Sequence, residues 1–269
     1  MTWSRRAATE LLAAHGISLS RALGQNFVVD PNTVRRIARL AGVGEGDNVV
    51  EIGAGIGSLT LALAETGASV TAIEIDRFIG PILQEVVAPL GVQVILDDAR
   101  AVDWSALLGD RTWSLVANLP YNIATPLVLD LLQDVPRIEH MLVMVQREVG
   151  ERLAASAGDD AYGAVSVKVA YYATAVVVGK VPPTVFLPQP KVESALVRVT
   201  RRASLPDVDR ERMFELINAG FGQRRKMLRR SLSTVVDARV FERASIRPEA
   251  RAEELSLDEW VALTNSLQA

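Results

Sequence analysis

Cysteine is absent from the 269 residues and histidine occurs only twice, at His15 and His140. Without a thiol there is no disulfide framework, no iron–sulfur cluster, no thiol nucleophile and no cysteine-ligated zinc. The two histidines lie far apart and outside any ligand-spaced cluster, so no metal site is expected and a Ser-His-Asp mechanism has few residues to draw on. No run of about 18 uncharged apolar residues occurs, so no membrane span is expected. The N-terminus opens with two arginines like a secretion signal, but Glu10 interrupts an apolar run that is already short, and a first helix is the expected structure. No repeat of 20–50 residues and no low-complexity tract is present, which excludes solenoids and disordered scaffolds. A formal net charge of −3 argues, taken alone, against a nucleic-acid partner.

What is present is an ordinary globular composition, 49% hydrophobic and 23% charged, enough for one large domain or a large domain with a small one. Apolar runs of five to seven residues alternate with amphipathic segments from about residue 47 to 200, the pattern of βα units around a mostly parallel sheet. Strands are expected at 48–52, 69–75, 92–96, 113–117, 141–145, 173–178 and 195–199, with helices at 59–65, 77–88, 125–132 and 147–155. Seven strands fit a doubly wound α/β sheet with its ligand site at the carboxyl ends of the first strands. A polar, proline-containing stretch after Thr200 reads as a linker, and 209–269 has helical patterning without a convincing strand. The expected division is therefore 1–200 and a small α-helical domain at 201–269. Residues 200–269 carry 13 Lys+Arg against 11 Asp+Glu, while 1–199 carry 16 against 21.

The segment Glu51-Ile52-Gly53-Ala54-Gly55-Ile56-Gly57 runs from an apolar strand into a glycine-rich turn and then a helix. Glycines there allow positive φ and a close ligand approach. A dinucleotide fingerprint needs a small residue, usually Gly, three positions after Gly55, where Ser58 stands, and the tighter Gly-x-Gly-x-Gly spacing suits an S-adenosylmethionine pocket. A structural strand-to-helix turn is the plain alternative. Glu74 ends the next strand, where a carboxylate can accept both hydroxyls of a ribose. Asp76 serves equally as a helix cap. At Asp98-Ala99 a side-chain acceptor and a backbone N–H can meet the amino group and ring nitrogen of an adenine, or form a simple turn.

The fourth strand ends in Asn118-Leu119-Pro120-Tyr121-Asn122. The Asn118 side-chain oxygen and the Leu119 carbonyl can accept the two hydrogens of an exocyclic amine and push its electron density toward the attacking lone pair. Tyr121 offers a face for stacking a base, worth roughly 1–3 kcal/mol. A plain turn with a packed tyrosine is the alternative.

Taken together, Leu23-Gly24-Gln25-Asn26-Phe27, the glycine segment, Glu74-Ile75-Asp76, Asp98-Ala99, Asn118-Leu119-Pro120-Tyr121-Asn122, Phe186-Leu187-Pro188-Gln189-Pro190-Lys191-Val192 and Phe221-Gly222-Gln223-Arg224-Arg225-Lys226 resemble the ribosomal RNA small-subunit (16S) adenine N6-dimethyltransferase family. The resemblance runs through most of the chain in family order. It implies a Rossmann-like seven-stranded methyltransferase sheet, S-adenosyl-L-methionine as methyl donor, and N6,N6-dimethylation of two adjacent adenosines in a 3'-terminal loop of 16S rRNA within the small ribosomal subunit. It also implies that Asn26 and the Val28 backbone border the methionine end of the donor. Gly53 and Gly55 would lie beneath it, Glu74 on the ribose, Asp98 and Ala99 on the adenine, and Asn118 between donor and target. Tyr121 and Phe186 would sandwich the flipped base. Two positions depart from the family pattern: Ala54 replaces a proline, and Arg100 replaces a larger apolar residue.

An activated methyl donor demands alignment rather than a tuned acid or base, which two unclustered histidines and no cysteine allow. The target adenine must first leave its stack. Residues 222–231 hold five basic side chains and no acid. On a helix, Arg225 and Arg229 share one stripe and Lys226 and Arg230 the next, so Arg224, Arg225, Lys226, Arg229 and Arg230 are expected to contact phosphate, with Arg5, Arg6, Arg21, Arg35 and Arg36 extending the surface. A cytoplasmic monomer involved in ribosome biogenesis is expected. The competing readings are a large-subunit rRNA adenine methyltransferase, a non-catalytic ribosome-assembly protein on the same fold and, weakest, an NAD enzyme.

Overall fold

The computed structural model describes residues 2–17, 26–223 and 226–267. Its elements in chain order are α1 (Arg5–Ala14), β1 (Phe27–Val28), α2 (Pro31–Ala41), β2 (Asn48–Ile52), α3 (Ser58–Ala64), β3 (Ser69–Glu74), α4 (Gly80–Val87), β4 (Gln93–Leu96), α5 (Trp104–Leu108), β5 (Trp113–Asn118), α6 (Ala124–Asp134), β6 (Ile138–Gln146), α7 (Arg147–Ala154), α8 (Ala164–Tyr172), β7 (Ala173–Val181), β8 (Phe186–Leu187), β9 (Ser194–Arg201), α9 (Arg210–Gly222), α10 (Leu228–Ser231), α11 (Ala238–Arg243) and α12 (Leu257–Asn265). Among the described residues no helix is long and apolar enough to cross a membrane.

All seven expected strands form one sheet, in the order β4-β3-β2-β5-β6-β9-β7. The strands β4, β3, β2, β5 and β6 run parallel, and β9 pairs antiparallel with β6. The order reverses between β2 and β5, so the carboxyl ends of β2, β3, β4 and β5 open on a common crevice, the place where a doubly wound sheet receives its ligand. Two further strands were too short to show in the sequence: β1 pairs antiparallel with β8, with Phe27 opposite Leu187 and Val28 opposite Phe186.

The helix α2 illustrates how local sequence sets an element. Asp30 caps it by accepting from the Thr33 N–H at 2.9 Å, Pro31 stands in its first turn, and Gly42 ends it in the left-handed region at φ 70°. Its apolar side, Val34 and Ile37, joins Leu59, Ala62 and Leu63 of α3 against Val49, Val70, Val116, Leu142 and Leu196 of the sheet.

The chain divides into two compact units, Met1–Gly150 with Val176–Thr200, and Glu151–Ala175 with Arg201–Ala269. This corrects the expectation of one undivided domain over 1–200. The reason is aromatic packing: Tyr171 meets Phe214 edge-on at 5.5 Å, and Tyr162 meets Phe221 at 5.9 Å while its hydroxyl donates to the Leu255 carbonyl at 2.7 Å. Trp260, fully buried, completes this core beside Phe221 and Gly220.

Candidate functional site

The glycine turn joins β2 to α3. Gly55 sits at φ 58°, and a methyl added there would stand 2.6 Å from the Phe27 ring, so glycine is required both by conformation and by the ring above it. A methyl on Gly53 would lie 3.6 Å from Pro120 Cδ and 3.7 Å from the Asn118 carbonyl oxygen. The glycine turn and the end of β5 are thus in van der Waals reach. The Ala54 N–H points to the Ile73 carbonyl at 3.3 Å, a bond the usual proline could not make.

Glu74, 6% exposed at the end of β3, accepts from the Gly55 N–H at 2.7 Å and from the Asp76 N–H at 2.9 Å. Burial raises its pKa, while those two N–H donors pull it back. The carboxylate is therefore fixed before any ligand arrives, with lone pairs remaining on both oxygens. Asp76 accepts from the Phe78 N–H at 2.8 Å in the turn that precedes α4, but it is not the cap of that helix, which begins from Ile79 without a side-chain cap. Glu51, one residue inside β2, was not singled out among the binding residues. It is 2% exposed, its Oε2 has no hydrogen-bond partner, and burial pushes its pKa up to about 8, with the Thr60 hydroxyl opposing and the Glu74 charge adding to the rise.

Arg100 folds back on Asp98. The Asp98 Oδ1 accepts from the Arg100 N–H at 2.9 Å and from its Nε at 3.2 Å, and Oδ2 accepts from Nη2 at 2.7 Å. These bonds hold the Asp98 pKa below its ordinary value. Both oxygens expected to read an adenine thus already carry a guanidinium. Ala99 is buried, and its carbonyl accepts from the Trp104 indole at 3.1 Å.

At the end of β5 the Asn118 amide donates from Nδ2 to the Asn26 carbonyl at 2.9 Å, which leaves its Oδ1 as the acceptor for a ligand. Leu119 is buried and its N–H bonds the Met144 carbonyl at 3.0 Å, fixing the turn that follows. Tyr121 is partly buried. Its hydroxyl meets the Ser194 hydroxyl at 2.7 Å, and burial raises its pKa. Val28 lies opposite Phe186 in the short β1–β8 pair. Phe186 differs from the open stacking face expected of it: the ring is fully buried with Val28, Ile37, Met144 and Leu196, because the β1–β8 pairing turns that side chain inward.

The expected cationic helix face is also corrected. Arg224 and Arg225 lie outside the described residues, as do Arg21 and the Leu23-Gly24-Gln25 part of its motif. Lys226 is exposed and precedes α10, which spans only Leu228–Ser231. The chain departs from helix there because Met227 forms an antiparallel bridge with Arg251, and the Leu228 and Arg229 N–H groups bond the Ala250 and Pro248 carbonyls. Arg229 pairs with Glu249 at 3.3 Å, whereas Arg230 is exposed. Of the other arginines, Arg6 pairs with Glu10 at 2.7 Å and Arg35 with Glu65 at 3.3 Å, and Arg36 donates to the Lys180 carbonyl at 3.1 Å.

Comparison with known proteins shows the family to which the chain is similar along most of its length. The family model described as "Ribosomal RNA adenine dimethylase" matches residues 17–269. The ribosomal RNA small subunit methyltransferase A of Bifidobacterium adolescentis is 45% identical over 277 residues, covering 96% of this chain and 91% of the relative. Its counterpart in Leifsonia xyli subsp. xyli is 46% identical over 261 residues, covering 92% of each. Among solved structures, the 23S rRNA methyltransferase ErmE superposes with a TM-score of 0.73 at 26% identity, over 91% of this chain and 100% of that one.

Proposed function

The chain belongs to the ribosomal RNA adenine dimethylase family, and from that premise we propose that it moves methyl groups from S-adenosyl-L-methionine to N6 of two adjacent adenosines in a 3'-terminal loop of small-subunit 16S rRNA. The observation that best supports the proposal is the nearness of the Gly53 turn to the Asn118–Pro120 turn, a methyl added to Gly53 falling 3.6 Å from Pro120 Cδ, since the reading needs a nucleoside site and an amine-accepting site side by side.

The residues suit the donor. The left-handed glycines let the turn close tightly without side-chain bulk, Glu74 presents a fixed carboxylate to a pair of vicinal hydroxyls, and Glu51 holds a buried oxygen without a partner. Asn26, the Val28 backbone, Gly53 and Gly55 would hold its methionine end, with Asp98 and Ala99 at its adenine. When bound, S-adenosylmethionine supplies a methyl already activated by its sulfonium, so the protein's task is alignment.

Asn118 Oδ1 and the Leu119 carbonyl accept the hydrogens of the target amine and orient its lone pair. Tyr121, braced through its hydroxyl by Ser194, stacks the flipped base, while Phe186, its ring fully buried, supports the pocket from the core without facing the base. The small helical unit, through Lys226 and Arg230 with Arg224, Arg225 and Arg229, meets the RNA backbone. In this reading the protein works as a cytoplasmic monomer on the small ribosomal subunit.

Incubating the protein with labelled donor and unmethylated small subunits should transfer label to adjacent adenosines, and Asn118→Ala should lower the rate by about 100-fold through lost alignment. Absence of label with active subunits would overturn the proposal. The likeness to ErmE favours a large-subunit target as the second reading, and mapping the modified nucleotide separates the two.

A further inference from the structure

The match to the family begins at residue 17, yet the stretch before it reaches both halves of the site. The Trp3 indole N–H donates to the Ile56 carbonyl at 2.8 Å, in the middle of the glycine turn. Two residues on, one guanidinium nitrogen of Arg5, Nη2, donates to the Thr184 carbonyl at 2.7 Å and to the Phe186 carbonyl at 2.8 Å. Those carbonyls flank Val185, whose own carbonyl accepts from the Val29 N–H at 2.8 Å. Beyond the two anchors, Ala8 and Leu12 of α1 are buried against Phe27, Val29, Ile56 and Ile79. Phe27 is the ring that covers Gly55.

We infer that residues 2–17 form a strap that completes the site, with Trp3 and Arg5 as positioning residues, Trp3 for the glycine turn and Arg5 for the backbone carrying Phe186. A helix that merely plugged an apolar gap would need Ala8 and Leu12 alone. The polar contacts go instead to carbonyls of the two segments given separate ligands above, a division that rests on the proposed reaction. Ile56 lies between two left-handed glycines, Gly55 at φ 58° and Gly57 at φ 78°; the N–H of the Ile56–Gly57 peptide bonds the Ala54 carbonyl at 3.0 Å, and the Trp3 indole holds its carbonyl end. Arg5 suits its double role because the guanidinium is always charged and its donors are rigidly arranged. The strap thereby links the shape of the donor turn to that of the target wall.

Trp3→Phe keeps the ring and deletes the donor, and Arg5→Gln keeps a long polar side chain without the charge. Both leave Ala8 and Leu12 in place. Three readouts are compared on the full-length protein: amide hydrogen exchange at residues 53–57 and 184–187, S-adenosylhomocysteine affinity by calorimetry, and KM for unmethylated small subunits. Trp3→Phe should speed exchange at 53–57 and weaken S-adenosylhomocysteine binding by about fivefold, with KM for the subunit unchanged. Arg5→Gln should speed exchange at 184–187 and raise KM by roughly tenfold, with S-adenosylhomocysteine affinity unchanged, and Arg5→Lys should recover most of that loss. A fall in melting temperature with uniform exchange across the chain, or unaltered exchange at both segments, would overturn the strap. If wild type binds S-adenosylhomocysteine and shows the expected exchange pattern but transfers no methyl to subunits, the strap stands and the proposed target falls.

Discussion

Burial lifts the Glu51 carboxyl from an ordinary 4.5 to about 8, and that lift carries a stability signature. Between those two values the unfolded chain releases a proton that the folded chain keeps, so stability falls as pH rises through the window and levels off above it. Glu74, also raised by burial, acts in the same direction. Glu51→Gln should therefore flatten the dependence of melting temperature on pH between about 4.5 and about 8, measured on ligand-free protein. An unchanged slope would assign the effect elsewhere. Arg100 gives a second test at this scale. Its pair with Asp98 is largely exposed and adds little to folding, but it occupies the oxygens an adenine amino group would use. Arg100→Met should leave the melting temperature nearly unchanged and tighten S-adenosylhomocysteine binding severalfold by calorimetry, and weaker binding would show that the guanidinium serves the ligand instead. The presence of Asp98 and Arg100 was legible in the sequence, but their pairing was not, because a contact between residues two apart depends on how the turn folds. The partner-less oxygen of Glu51 was equally hidden: a glutamate in an apolar strand reads the same whether or not something answers it.

Among the elements, the long apolar strands were the most legible, since five to seven consecutive Val, Ile and Leu residues leave few alternatives in a fully covered parallel sheet. The two-residue strands β1 and β8 have no such period and exist only because their backbones meet each other. They matter to the site nonetheless. Gly55→Ala would force a side chain into a left-handed position, costing about 1–2 kcal/mol, and push the Phe27 ring off the turn. We expect a lower melting temperature together with weakened S-adenosylhomocysteine binding in the same variant. The basic stretch at 222–231 shows the opposite failing of sequence. Its helical spacing was plain, but the bridge from Met227 to Arg251 joins residues too distant for any local pattern to reveal. Because Arg229 already pairs with Glu249, alanine there should weaken RNA binding less than Lys226→Ala or Arg230→Ala. Each of the latter two should lower the slope of log affinity against log salt by about one, measured by titrating small-subunit RNA at several salt concentrations.

For the whole molecule, the −3 net charge is a sum over unlike parts and says little about the partner. The division into two units is similarly composite, since Glu151–Ala175 belongs with Arg201–Ala269. Nothing in the composition of 151–175 announced this, because Tyr162 and Tyr171 find their partners more than forty residues away, at Phe221 and Phe214. Truncation after Thr200 should strip those rings of their cover, and the product should bind a hydrophobic dye and aggregate, whereas a soluble truncated protein with native exchange in 151–175 would refute the division.

The position of β9 between β6 and β7 also has a consequence for manufacture. A chain emerging at roughly 5–20 residues per second presents β6 and then β7 with an empty slot between them, and the sheet closes only when the later strand arrives. The tyrosines of 151–175 wait longer still, for several seconds, until Phe214, Phe221 and Trp260 have been made. Residues 201–269 thus decide when an earlier segment can finish folding, and slow codons or a pause after residue 175 would lengthen the interval in which that segment is open to misassociation.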